Sequence, residues 1–188
     1  MLSRFCLLAL LAGAAACNKT EPTPSGVPSG SIAPATLNTG LTLLSVGAPA
    51  PDVEGVAHNG EKIKLSDLRG KPVVVYFYPK DNTPGCTVEA QEIRDLWQEI
   101  GATGAVVIGV STDDATSHQK FAADHELPFL LLPDPSGVIA QKFGVPLRNG
   151  RASRVTFVIG KDGKIAKVFP DVKPKGHGAE LVDALKSS

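Results

Sequence analysis

The sequence holds only three cysteines, Cys6, Cys17 and Cys86, and no two of them stand in C-x-x-C spacing. That argues against a cysteine-based zinc site and against a dithiol redox motif. Charge of one sign is not in excess either, since Lys plus Arg and Asp plus Glu each total 19. Without a basic surplus or a basic amphipathic face, nothing points to nucleic acid or to an anionic lipid surface as a partner. The four histidines, His58, His118, His125 and His177, are scattered along the chain. His118 and His125 have a spacing that allows one helix face, but metal pairs usually stand three or four residues apart. All four are therefore expected as solvated surface residues, with no metal site. No internal repeat is present.

What is there begins with an apolar run at residues 5–12, preceded by Arg4 and followed by the small residues Gly13-Ala14-Ala15-Ala16. It is too short to span a bilayer as a mature helix and reads as an export signal over residues 1–16. Two processing routes fit. Ala14-Ala15-Ala16 suits ordinary signal peptidase, which would leave a soluble periplasmic protein. Small residues directly before Cys17 also resemble a bacterial lipobox, in which that cysteine is acylated and becomes the new N-terminus, although Ala14 stands where such motifs usually carry Leu. The following segment favours lipidation. Residues 18–40 are rich in Thr, Pro, Ser and Gly without apolar periodicity, which suits a spacer between an anchor and a domain. The expected organisation is a signal at 1–16, a disordered tether at 17–45 and one domain at 46–188, exported to the periplasm or cell envelope and held to the membrane through Cys17. Cys6 leaves with the signal.

Within the domain, residues 51–56 and 62–65 read as short strands around Asn59-Gly60, a strong hairpin signal. Ser66-Asp67-Leu68 suggests a helical turn. Residues 73–78 are β-branched or aromatic throughout, as a central strand covered on both faces requires. Further strands are expected at 105–110 and 129–132, and helices at 115–125 and 137–143. Residues 154–159 and 165–169 flank Lys161-Asp162-Gly163 as an antiparallel hairpin, and a last helix covers 176–186. Strands alternating with helices, then a hairpin and a closing helix, give an α/β fold with a mixed central sheet flanked by helices; the thioredoxin-like fold fits this order.

The most informative stretch is Tyr78-Pro79-Lys80-Asp81-Asn82-Thr83-Pro84-Gly85-Cys86-Thr87-Val88-Glu89. Thr83 suits an N-cap and Pro84 the first helical position, and Ile93, Leu96, Trp97 and Ile100 continue an apolar helical stripe. Cys86 is then the third helical residue. The first-turn N–H groups lack intrahelical partners and carry the positive end of the helix dipole, so they favour a thiolate at this place. A capping box would put Glu or Gln in that slot. Thr83, three residues earlier, can bring its hydroxyl beside the sulfur. A merely packed cysteine would leave its position directly after Thr-Pro-Gly unexplained.

These residues resemble the active-site pattern P-x-x-x-T-x-x-C of the peroxiredoxins, and P-K-D-N-T-P-G-C-T-V-E is most similar to the Q-type branch, also called bacterioferritin comigratory proteins. The resemblance extends from about Gly47 to Leu185 and includes Gly47-Ala48-Pro49-Ala50-Pro51, Val110-Ser111-Thr112-Asp113 and Arg154-Val155-Thr156-Phe157-Val158-Ile159. It implies that Cys86 is the peroxidatic thiolate, that the Thr83 hydroxyl hydrogen-bonds peroxide and thiolate, that Pro79 shields the site from water, and that Arg154 lies against the sulfur. Glu89 either orients Arg154 or only favours the helix start. The implied substrates are hydrogen peroxide or an alkyl hydroperoxide, and the implied reductant is an external thiol, thioredoxin-like, glutaredoxin-like or small. No metal, haem or flavin is implied. Many Q-type members carry a resolving cysteine five residues after the peroxidatic one; here that position is Gln91. Two rivals are a thiol–disulfide oxidoreductase, which needs a second nearby cysteine, and a non-catalytic binding module, which would not need Thr83, Cys86 and Arg154 together.

Overall fold

The computed structural model describes residues 42–187. The signal, Cys17 and most of the tether lie outside them. Packing starts earlier than Val46, because Leu43 and Leu44 already lie against the core and the Leu44 amide donates to the Phe143 carbonyl. Among the described residues the packed structure thus includes Leu43 and Leu44, a few residues before the expected start at 46.

The expected first hairpin is present. β1 (Glu54–Val56) and β2 (Lys62–Lys64) pair antiparallel, and the chain reverses at Gly60, whose φ of +86° suits glycine. A 3₁₀ turn over Leu65–Leu68 follows. β3 (Val73–Phe77) is buried at every position and is the middle of a five-stranded sheet. Next come α1 (Pro84–Asp95), α2 (Trp97–Ala102), β4 (Val106–Ser111), α3 (Ala115–Asp124), β5 (Leu130–Pro133) and α4 (Val138–Lys142). The chain ends with β6 (Leu147–Arg148), β7 (Arg151–Ala152), β8 (Val155–Ile159), β9 (Ile165–Phe169) and α5 (His177–Lys186). The main sheet has the order β5-β4-β3-β8-β9. β4 and β5 run parallel to their neighbours, and β8 and β9 antiparallel, so the sheet is mixed as expected.

Side chains alternate across β3, and this divides the core. Val73, Val75 and Phe77 pack with Val53, Ile63, Ala140 and Phe143, beneath the first hairpin and α4. Val74, Tyr76 and Tyr78 pack on the other face with Ile93 of α1, Phe121 of α3 and Leu181 of α5. Cys86 belongs to this second cluster, so the nucleophile candidate is built into the layer between sheet and helices.

Three expectations change. The apolar stripe after Thr83 does not lie on one helix, because the chain breaks at Leu96 (φ −99°, ψ 14°) into α1 and α2. The β6–β7 hairpin is an addition to the expected elements, although Asn149-Gly150 carries the same turn signal as Asn59-Gly60; both residues have positive φ, 51° and 73°. The histidines are not all solvated: His118 and His177 are fully buried, His118 against Asp81 and Tyr78, and His177 between Thr156 and Glu180. Burial among polar partners, which no spacing rule reveals, overrides their surface preference. No group of three metal-ligating side chains comes together among the described residues.

Candidate active site

β3 ends at Phe77, and the Tyr78 amide still reaches the Val110 carbonyl of β4 at 3.1 Å. The chain then leaves the sheet through Pro79, which is half-buried, and turns at Asn82, a non-glycine residue with φ 58°. Asn is among the few residues that tolerate this region. α1 starts at Pro84, with Thr83 at its N-cap and Cys86 in its first turn, as expected. The first bond back into the helix, from the Thr87 amide to the Thr83 carbonyl, comes one residue after Cys86. The Gly85 and Cys86 amides thus stand at the unpaired positive end of the helix.

Arg154 arrives from the opposite neighbour of β3. It directly precedes β8, and its Nη2 donates to Cys86 Sγ at 3.2 Å. Its Nη1 donates to Glu89 Oε2, which belongs to the next turn of α1. One guanidinium therefore holds two groups of the same helix, Cys86 and Glu89. At Gly85 a Cβ would lie 3.4 Å from Arg154 Nη2 and 3.5 Å from Pro174 Cγ, ordinary contact distances that put this position beside the guanidinium. Cys86 is 2% exposed and Glu89 fully buried, whereas the Arg154 side chain keeps 16% exposure.

The electrostatics follow from this burial. Loss of water pushes the Glu89 carboxyl up to about 7, against the pull of Arg154. Burial also works against the Arg154 charge, but Glu89 and then Cys86 outweigh it and hold the guanidinium above its ordinary value. Arg154 is thus a fixed cation, and Glu89 is the member of the pair that can take up a proton near neutral pH. Glu89 Oε1 and the Tyr76 hydroxyl are both buried without a hydrogen-bond partner.

Thr83 does not use its hydroxyl to cap the helix. Oγ1 donates to the Lys80 carbonyl at 3.0 Å. A hydroxyl has one proton, so toward any bound molecule this oxygen presents lone pairs. Thr83 and Arg154 then have opposite polarities: the threonine accepts and the arginine donates.

The model of the AhpC/TSA family matches residues 46–168. The chain belongs to that family. A putative peroxiredoxin Bcp of Coxiella burnetii is 42% identical over 149 residues, covering 76% of this chain and 99% of that protein. Peroxiredoxin Bcp of Bacillus subtilis is 44% identical over 150 residues, covering 76% and 96%. Among solved structures, peroxidoxin BcpB of Mycobacterium tuberculosis superposes with a TM-score of 0.71 at 34% identity, over 77% of this chain and 97% of that one. The bacterioferritin comigratory protein of Xanthomonas campestris, whose structures concern alkyl peroxide reduction, gives 0.71 at 30% identity over 76% and 98%.

The chain is thus a peroxiredoxin of the Q type, with the thioredoxin-like fold and the thiol-dependent peroxidase activity of that branch. Cys86, Thr83, Arg154 and Glu89 converge at the start of α1, with Pro79 on the loop that enters it. The one place where the sequence departs from the two-cysteine pattern, Gln91, is engaged in packing. Its Nε2 lies 3.5 Å from His125 Nδ1, and Arg94 Nη1 donates to the His125 carbonyl at 2.9 Å, joining α1 to the end of α3.

Proposed function

We propose that this peroxiredoxin reduces hydrogen peroxide and alkyl hydroperoxides through a sulfenic acid on Cys86, using an external thiol as reductant, and that it does so in the cell envelope. The observation that carries the reading is the Arg154 contact to Cys86 Sγ. A guanidinium against the sulfur stabilises the thiolate and faces the oxygens of an arriving peroxide. The thiolate attacks one peroxide oxygen and the O–O bond breaks. The distal oxygen leaves, with a proton, as water or alcohol, and Cys86 becomes Cys–SOH. One thiol displaces water from sulfur to give a mixed disulfide, and a second thiol releases Cys86 and forms the external disulfide.

Gln91 shapes the second half of this cycle. A cysteine there would stand about 7.5 Å further along the helix than Cys86, too far for a disulfide unless the helix start unwound. With Gln91 and Arg94 tied to His125, α1 can stay folded while an outside thiol reduces the sulfenic acid in place. Oxidation of the purified protein with one equivalent of peroxide in the presence of dimedone tests this. The expected product is a monomer with one dimedone adduct on Cys86. A Cys86–Cys86 dimer on a non-reducing gel would mean that a second subunit does the resolving.

The location rests on the N-terminal sequence, an export signal followed by Cys17 and a polar tether. Acylated Cys17 anchors the protein, and the tether lets the domain reach peroxide and reductant. Cys17→Ala is expected to move the protein from the membrane fraction to the soluble fraction of producing cells. A mature N-terminus lacking acyl groups in mass spectrometry would rule the anchor out and leave a soluble periplasmic enzyme.

A further inference from the structure

Behind the active-site loop lies a polar network whose residues neither the thiolate nor the Arg154–Glu89 pair uses. Asp113 Oδ2 accepts from the Ser111 hydroxyl at 2.8 Å and from the Asp81 amide at 2.9 Å. Ser111 ends β4, and its oxygen accepts from the Asp113 amide at 3.1 Å, so the aspartate is fixed to the end of the sheet. The Asp81 amide belongs to the peptide unit that also contains the Lys80 carbonyl, and that carbonyl is the acceptor of the Thr83 hydroxyl at 3.0 Å. A peptide unit is planar, with N–H and C=O on opposite edges. One rigid group therefore joins the Asp113 carboxylate on one side to Thr83 on the other.

The loop around this peptide is held independently. The Asp81 side chain is 1% exposed. Its Oδ1 accepts from the Tyr78 hydroxyl at 2.7 Å, and its Oδ2 accepts from the Ser117 hydroxyl at 2.7 Å and lies 2.8 Å from His118 Nδ1. These partners come from the end of β3 and from α3. Burial works against the ionised carboxyl, yet the bonds from His118, Ser117 and Tyr78 outweigh it and hold its pKa below the ordinary value.

We propose that Asp113 is a positioning residue for peroxide reduction, acting through the Lys80–Asp81 peptide to fix the Thr83 hydroxyl as an acceptor. A carboxylate taking the N–H of a peptide makes its C=O a better acceptor, because hydrogen bonds in a chain polarise one another. The Thr83 proton is then committed to Lys80, and its oxygen is left to receive the O–H of the peroxide. Without Asp113 the Lys80 carbonyl is a weaker acceptor, and the Thr83 hydroxyl no longer keeps its proton in one direction and its lone pairs toward the peroxide. The relay gives the Ser111-Thr112-Asp113 stretch a role in the reaction, and it rests on the Cys86 peroxidase reading above.

The test compares two reactions of the same sulfur in the full-length protein. Oxidation by hydrogen peroxide needs both the thiolate and Thr83; alkylation by iodoacetamide needs only the thiolate. Asp113→Ala is expected to slow peroxide oxidation about tenfold, the factor carried by one ordinary hydrogen bond, with alkylation unchanged. Asp113→Asn keeps an acceptor without the charge, and a loss of about threefold is expected, which also serves if the alanine variant folds poorly. Thr83→Val with Asp113→Asn should be no slower than Thr83→Val alone, since both changes break one relay. Equal losses of oxidation and alkylation, additive losses in the double variant, or an Asp113→Asn rate equal to wild type would overturn the relay. A wild-type protein oxidised by peroxide no faster than an ordinary thiol would remove the peroxidase reading itself, and the relay with it.

Discussion

Peroxide consumption is expected to stop when Cys86 is replaced by serine, with the fold retained. Serine is nearly the shape of cysteine, and at this position it still faces Arg154 Nη2, which contacts Sγ at 3.2 Å. A hydroxyl there can accept that bond, so the packing of Tyr76, Tyr78 and Ile93 around the site is little disturbed. The cost in stability should be on the order of 1 kcal/mol. The chemistry is lost for a different reason. A serine needs a base to become a nucleophile, and the group held against it is a guanidinium, which has no acceptor and stays protonated. Cysteine does not share this need, because sulfur is intrinsically the stronger nucleophile and the guanidinium against it donates to Sγ. Peroxide loss in a thiol-coupled assay should therefore fall to the uncatalysed rate, with an unchanged circular dichroism spectrum. Appreciable turnover by the serine variant would place the chemistry elsewhere.

Arg154→Met should be nearly as damaging to activity, and it should also make stability more sensitive to pH. The methionine can fill much of the arginine's space, but both N–H donors are gone. Removing a donor aimed at the reacting atoms typically costs about a hundredfold to a thousandfold in rate. The change also leaves Glu89, which is fully buried, without its cation. In the wild type, burial already raises this carboxyl from 4.5 to about 7 on folding. A raised folded value means that the folded protein holds the proton more tightly than the unfolded chain does. Its contribution is therefore fully present below the unfolded value and is lost as pH rises through the folded one. Without Arg154 the folded value rises further, because the first cause, burial, is then unopposed. The destabilisation caused by Arg154→Met should thus be small near pH 5, where Glu89 is largely protonated with or without the arginine, and larger at pH 7.5. Urea midpoints at the two pH values measure it. Glu89→Gln added to Arg154→Met should recover stability at the higher pH without recovering the rate. An equal loss at both pH values would mean that Glu89 does not titrate in the folded protein.

Much of this site could be read from local sequence because its key groups are local. Thr83, Pro84 and Cys86 are set by the rules of a helix start, and the five apolar positions of β3 fix the strand that leads into it. Arg154 is 68 residues beyond Cys86, and in the sequence only the resemblance to a family brings the two together. The antiparallel pairing of β3 with β8, with Phe77 opposite Val155, is what places them side by side. The sequence leaves two readings for Glu89, and its ion pair with Arg154 is a contact that only the fold displays. The resemblance covers Asp81 and Asp113 as positions, but the polar network they form with Ser117 and His118, in which Asp81 and His118 are buried, is illegible in the sequence. Its members are ordinary polar residues at no recognisable spacing, and they become partners only where α3 packs beside the end of β3. Leu96 shows the same limit from the other side: the apolar period runs through it without interruption, while the backbone does not.

The central claim is that a single sulfur, Cys86, takes oxygen from peroxide and waits for an outside thiol. The most direct measurement is the number of peroxide molecules consumed per chain when no thiol is supplied. Reduced, desalted protein is mixed with an excess of hydrogen peroxide, and the fast phase of peroxide loss is counted against protein concentration. One equivalent, followed by resumed consumption when a thiol is added, is the expected result. Continuous consumption without thiol, or no fast phase at all, would contradict it.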